Sequence, residues 1–427
     1  MRATFCCFLG ALLLSGCTQD GGGTPRQDAG AGGGARSSRV DDDPTAADAF
    51  EVSVAAGARG HWLAAWIHAF VRPEDGIGCS YSQSNDDGTN WDPSESYHGP
   101  LPYCGDPVVA SDRRGHAYRV ATSFELGFST AFQRWLPVRS TIMLSRSAND
   151  GLSWGPWQTA VAPNPPGAEL PMGLNDKPWL AVDGDLVILA WTVLERFGYG
   201  DLTVTVSQDG GLSFGPPTLL GKGIGVCLAI DGAGRVHLAA GNDLSRKIQY
   251  TSSANLGASW APMVEVGDSG TGHINNTYPL VVSCGVAASG SVHLAWIGDV
   301  TGRGADDVWV VTSLDGGTTW GSQVRVNDDL RPATRGYAGI GTDSAGNVHV
   351  AWMDWRDGKP LAFRATSRDR GATFGANLRI DDVNASRAEG DYNSLAISVD
   401  DKIGYGWSDD RNPSTKVDIY FGLTGMQ

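Results

Sequence analysis

An eight-residue pattern recurs six times along this chain: SNDDGTNW (84–91), SANDGLSW (147–154), SQDGGLSF (207–214), SANLGASW (253–260), SLDGGTTW (313–320) and SRDRGATF (367–374). Successive copies begin 63, 60, 46, 60 and 54 residues apart. A period of that size marks one supersecondary unit per repeat rather than a string of separate domains. The chemistry of the pattern is that of a turn. Asp or Asn bonds the backbone two residues on, and Gly supplies the positive φ of a tight hairpin. The hydroxyls satisfy turn amides, and the aromatic ring packs on a neighbouring sheet. A nucleophile is needed once, not six times, so the repeat is structural.

Between the copies runs a second pattern of seven apolar strands: GHWLAAW (60–66), GHAYRVA (115–121), GDLVILAW (184–191), GRVHLAA (234–240), GSVHLAW (290–296), GNVHVAW (346–352) and KIGYGW (402–407). Each follows a short strand such as KPWLAVD (177–183) and precedes one that runs into a turn, such as DVWVVTS (307–313). A fourth strand closes the unit, as in SQVRVNDD (322–329) and NLRIDD (377–382). We label these strands A to D. The seventh unit stops after KVDIYFG (416–422), and SSRVDDD (37–43) at the other end matches its missing D strand. The expectation is an all-β chain. It is a single β-propeller over residues 37–427 with seven four-stranded blades, six being the alternative, closed by the N-terminal strand so that no sheet edge stays open.

The consensus S-x-[DN]-x-G-x-[ST]-[WF] resembles the Asp box of the sialidase-like β-propellers. That resemblance implies a site on the face shared by the D–A and B–C loops, with the Asp boxes on the other face. DYNSLAISVDDKIGYGW (391–407) is similar to the sialidase segment Y-S-S-L-x-x-x-x-D-G-x-I-G-x-x-Y. It implies Tyr392 as nucleophile, with Glu389 as the carboxylate that takes its proton. Arg335, in ATRGYAG, matches one of the three arginines that grip a sialic acid carboxylate. Asp75, in VRPEDGIG (71–78), matches the acid/base aspartate. One departure stands out: the family's F/Y-R-I-P arginine falls on Glu51 of Phe50-Glu51-Val52-Ser53, a carboxylate that repels an acidic sugar.

Aligning the A strands places Asp106, Lys177, Tyr278, Tyr337 and Tyr392 at one equivalent position beside the central mouth, either to bind a ligand or to plug the channel. WMDWRDG (352–358) and WSDDRNP (407–413) are near-copies whose Asp and Arg share one face at period two. Pairing within the loop is the structural reading of both, and sugar contact by Arg356 or Arg411 is the functional one.

The N-terminus carries Arg2, an apolar run from Phe5 to Leu14, and Leu14-Ser15-Gly16-Cys17. This resembles a bacterial lipobox, which implies a signal peptide over 1–16 and a diacylglycerol on Cys17. Thr18 then implies sorting to the outer membrane or cell surface. Residues 17–36 are Gly/Ala-rich and read as a flexible tether. Membrane contact is expected through the lipid only. With 47 acidic and 32 basic residues the net charge is −15, which argues against nucleic acid.

Cys79, Cys104, Cys227 and Cys284 then lie in an oxidising compartment and allow three pairings, of which Cys79 with Cys104 joins neighbouring elements in the repeat register. No Cys/His spacing suits zinc and no cofactor is indicated. Asp106, Asp176 and Asp391 offer oxygen ligands that suit calcium, without requiring it. The functional expectation is a monomeric, lipid-anchored, extracytoplasmic propeller acting on a glycan as an exo-glycosidase. A non-catalytic glycan- or protein-binding propeller and a structural envelope factor are the alternatives.

Overall fold

The computed structural model describes residues 37–42, 46–70, 76–112, 114–129, 134–164, 173–196, 199–242, 244–270, 281–381, 385–388, 390, 392, 394–412 and 416–424. Residues 1–36, which carry the expected signal peptide, Cys17 and tether, lie outside them, as do Asp75, Tyr278, Glu389 and Asp391. The described strands form seven antiparallel four-stranded sheets. Their A strands run, from blade 1 to blade 7, over Ala46–Ala56, Tyr103–Ser111, Asn175–Asp183, Ile224–Ile230, Ser283–Val286, Arg335–Thr342 and Leu395–Ile397. Each A strand touches those of the two neighbouring blades, and blade 7 touches blade 1, so the ring is closed with the A strands at its centre.

The seventh blade pairs Ser37, Ser38 and Arg39 with Gly422, Phe421 and Tyr420. The N-terminal strand thus supplies the missing D position and covers an edge that would otherwise template aggregation. The core lies between blades rather than in one centre. Trp66, Trp191, Trp296, Trp352 and Trp407 of the B strands are almost fully enclosed. Each sheet buries both faces, which is why the B strands read as near-continuous apolar runs.

The six turns share one hydrogen-bond set. In the copy at 313–320, Ser313 Oγ donates to Asp315 Oδ1 at 2.8 Å and accepts from Gly317 N at 2.8 Å, while Thr319 N donates to Asp315 Oδ1 at 2.8 Å. Trp320 then packs edge-on against Tyr250 of the preceding blade, 4.8 Å between centroids. Gly317 sits at φ 85°, and a Cβ there would meet the Tyr250 hydroxyl at 1.9 Å. We expect Gly317→Ala to destabilise the protein by about 1–2 kcal/mol through backbone strain and this clash, measured as a lower urea midpoint. An unchanged midpoint would show that Tyr250 yields freely.

Cys79 and Cys104 form a disulfide with a Cα–Cα distance of 5.5 Å. It ties the C strand of blade 1 to the A strand of blade 2.

Candidate functional site

Five A strands carry a bulge at the same place. The pairing register slips between Phe50 and Ser53, Gly105 and Val108, Asp176 and Trp179, Ile224 and Cys227, and Gly336 and Gly339. Within these steps Glu51, Asp106, Lys177, Gly225 and Tyr337 have φ of 56°, 50°, 49°, 64° and 61°. Glycine takes that conformation freely, as in blade 4. A side chain there costs about 1 kcal/mol or more. Blades 1, 2, 3 and 6 carry Glu, Asp, Lys and Tyr there nonetheless, and strain of this kind concentrates at functional sites.

Three of these side chains meet. Lys177 Nζ lies 2.6 Å from Asp106 Oδ1 and 3.6 Å from Glu51 Oε2, with side-chain exposures of 12%, 11% and 11%. The same ammonium stands 5.6 Å from the ring centroid of Tyr392. Tyr392 is 4% exposed, donates its hydroxyl to Pro107 O at 3.3 Å, and meets Trp179 edge-on at 6.0 Å. Blades 7, 1, 2 and 3 thereby contribute to one cluster of two carboxylates, one ammonium and a phenol.

Glu51, the departure from the family motif, is part of this cluster, paired with the lysine rather than left to repel a ligand. Sequence reasoning missed Glu51 as a partner and Trp179 altogether. The prior signals were that Glu51 departs from the arginine motif and that Trp179 stands two residues from Lys177 in KPWLAVD.

The arginines are engaged within the protein: Arg335 departs from the substrate-gripping role the resemblance implies, while Arg356 and Arg411 take the loop-pairing role of the structural reading. Arg335 is fully enclosed. Its Nε donates to Asp354 Oδ2 at 2.9 Å, Nη1 to Asp306 O at 2.6 Å and Nη2 to Asp329 O at 3.3 Å. Arg356 Nη2 donates to Asp354 Oδ2 at 2.8 Å and Nη1 to Asp328 Oδ1 at 3.1 Å, with the guanidinium 4.1 Å above Phe363. Arg411 Nε donates to Asp409 Oδ1 at 2.8 Å, its fork also engages Asp381, and it lies 4.0 Å over Tyr420.

In both W-x-D-x-R copies the tryptophan indole also donates to the aspartate, Trp352 to Asp354 at 3.0 Å and Trp407 to Asp409 at 2.8 Å. The motif is a loop clamp. Tyr337 packs into the blade 6–7 core, edge-on to Trp355 at 6.2 Å, and its carbonyl accepts from Tyr405 Oη at 2.8 Å.

Two further features frame the site. A cavity of about 260 Å³ runs along the axis, lined by all seven A strands, with Ser53, Trp179, Cys227, Cys284 and Ser394 among its walls. The B–C hairpin of blade 2, Ala117–Ser129 with Arg134–Ser147, has strands of 13 and 14 residues, against 7 in blades 4 to 7. The end of the hairpin carrying Phe128 and Trp135 lies opposite the Asp-box end of the blade. There Phe128 and Trp135 are about half exposed and meet edge-on at 5.9 Å. Among the described residues no group of three or more His, Cys, Asp or Glu is placed to hold a metal ion.

No family model matches the chain, and no curated relative matches it. Solved structures do. A protein of unknown function from Dyadobacter fermentans is 13% identical with a TM-score of 0.53, over 92% of this chain and all of that one. An α-L-arabinofuranosidase from Fusarium graminearum is 13% identical with a TM-score of 0.52, over 91% and 97%. The Hadza microbial sialidase Hz136 is 16% identical with a TM-score of 0.51, over 91% of this chain and 68% of that one. At these identities the likeness is one of fold.

Proposed function

We propose that this chain is a lipid-anchored, extracytoplasmic exo-glycosidase that accepts the terminal unit of a glycan at the mouth of the propeller. The observation that carries this reading is the convergence of Tyr392, Lys177, Asp106 and Glu51 at the inner ends of four blades. In the reading, Tyr392 attacks the anomeric carbon while Glu389 takes its proton, and Asp75 protonates the departing oxygen. Lys177, held over the phenol ring, favours the charge that develops as the proton leaves. Phe128 and Trp135, exposed at the B–C end of blade 2, offer ring faces on which the rest of the glycan stacks. Two carboxylates face one ammonium, and Arg335, Arg356 and Arg411 are committed to aspartates, which supports a neutral sugar over sialic acid. The lipid on Cys17 places the domain at the outer membrane or cell surface.

The experiment incubates the domain from Ser37 with aryl α-L-arabinofuranosides, other neutral aryl glycosides and a fluorogenic sialoside, beside Tyr392→Phe. The expected outcome is release from a neutral glycoside that disappears in the variant. Release from the sialoside alone would overturn the neutral-sugar assignment.

A second reading, non-catalytic glycan binding, draws on the near-complete burial of Tyr392 and its hydrogen bond to Pro107. No release from any substrate, together with glycan-array binding abolished by Lys177→Met, would favour it.

A further inference from the structure

The junctions between neighbouring A strands repeat a small contact. Ser53 Oγ accepts the amide of Val109 at 3.2 Å, Ser283 Oγ that of Ile340 at 3.2 Å, and Ser394 Oγ that of Val54 at 2.5 Å. In each case a blade offers a hydroxyl to the first strand of the next. The pairing registers show which residues stand at these places in blades 4 and 5. Ser53 opposes Ala65, Ser283 opposes Ala295, and Cys227 opposes Ala239, three residues along the B strand in every case. Val109 opposes Arg119, Ile340 opposes Val350, and Cys284 opposes Leu294, two residues along. Cys227 therefore occupies the serine position of the blade 4–5 junction, and Cys284 is the residue it faces.

The side chains agree with this placement. Both cysteines belong to one interblade cluster, both line the axial cavity, and neither is engaged in a disulfide. Burial pushes the Cys284 thiol up, and its hydrogen bond with Cys227 adds to that. A thiol is a weak acceptor for a backbone amide compared with a hydroxyl. A second thiol across the junction, rather than an aliphatic residue, gives the pair a chemistry that the serine junctions lack.

We propose that Cys227 and Cys284 form a dithiol pair in the channel wall that closes into a second interblade disulfide. The oxidant is a small disulfide that meets the partly exposed Cys284 first. One cysteine loses its proton and its thiolate attacks the oxidant, expelling one thiolate and forming a mixed disulfide. The second thiolate then displaces the remaining oxidant sulfur. Two protons leave the protein, and the two electrons reduce the oxidant disulfide to two thiol groups. The closed pair ties blades 4 and 5 on the axis, three junctions round the ring from Cys79–Cys104. Its formation in the cell rests on the extracytoplasmic reading given above; its chemistry does not.

The test uses the whole exported protein, purified without reductant and treated with excess oxidised glutathione at neutral pH. It is then unfolded, alkylated and mapped by mass spectrometry. The expected result is the Cys227 peptide joined to the Cys284 peptide, two hydrogens lighter than the pair of free peptides and separated by dithiothreitol. Closure should slow as pH falls, because only the thiolate attacks. Recovery of Cys227 and Cys284 as separately alkylated or singly glutathionylated peptides overturns the proposal. Cys79–Cys104 in the untreated sample reports on export independently: if it too is alkylated, the extracytoplasmic reading fails, while the glutathione arm still judges the pair. Cys227→Ser, which restores the residue found at three other junctions, should fold and leave Cys284 fully alkylated. A linked Cys284 in that variant also overturns the assignment.

Discussion

Replacing Arg335 with methionine is expected to destabilise the propeller by about 3–5 kcal/mol, the range for a buried ion pair that loses one member. The guanidinium is enclosed between blades 5 and 6, where Asp354 lies 2.9 Å away and Asp307 3.6 Å away, both fully buried. Methionine fills similar volume, so cavity formation is not the main effect. Two carboxylates would lose their shared cation, and the carbonyls of Asp306 and Asp329 a donor.

Asp354 retains Arg356 and the Trp352 indole, and Asp307 retains Arg303 and the Asn327 amide. These remaining partners place the expected loss toward the lower end of the range. The measurement is the urea midpoint of the variant against the parent, with glycoside release recorded on the same samples. If Arg335 instead grips a substrate, release would fall while the midpoint stays put. That outcome would return the residue to the binding site.

Arg335 also shows where sequence reading stops. The blades, the turns and the closing strand were legible because each rests on spacing within about ten residues, or on a match between two chain ends. Seven B strands outnumbered six boxes, and that difference alone carried the blade count. The clamp of Asp354 with Arg356, and of Asp409 with Arg411, was readable for the same reason: residues two apart in an extended segment share a face.

Arg335 matched a family motif, yet its fate is set by Asp307 from the preceding blade and by Asp354 across a hairpin, neither of which its own segment reveals. Glu51 failed in the opposite sense. Its segment marked it as a misfit, but a one-residue bulge turns the side chains that follow. The bulges of blades 1, 2 and 3 bring Glu51, Asp106 and Lys177 together. Strand alignment found the shared position of Asp106 and Lys177, whereas Glu51 and the ion pairs needed the register.

Acid is expected to weaken the fold in two separable stages, and His293 governs the first. His237, His293 and His349 stand at equivalent places in the B strands of blades 4, 5 and 6, and burial lowers all three from the usual histidine value. His237 and His349 each keep a carboxylate partner, Asp231 at 3.3 Å and Asp343 at 3.1 Å. His293 has only hydroxyls, Thr312 at 2.9 Å and Ser291 at 3.1 Å, and burial takes it down to about 4.

Because the folded value lies below the unfolded one, the unfolded chain binds the proton first. Stability is therefore unaffected above about pH 6.5, falls as pH drops below that, and levels off below about pH 4. The loss attributable to His293 is about 3 kcal/mol. Asp209, Asp315 and Asp369 act in the same direction, lower on the pH scale. Hydrogen bonds from the turn hold each at about 2, so their support is present above the ordinary carboxylate value and disappears as pH falls from about 4 toward 2. Urea midpoints between pH 7.5 and 2.5 should show both stages. His293→Gln, which keeps a polar side chain beside Thr312 and Ser291 but cannot be protonated, should flatten the first stage and leave the second. A variant that falls as steeply as the parent between pH 6.5 and 4 would remove His293 as the cause and shift the effect to His237 and His349.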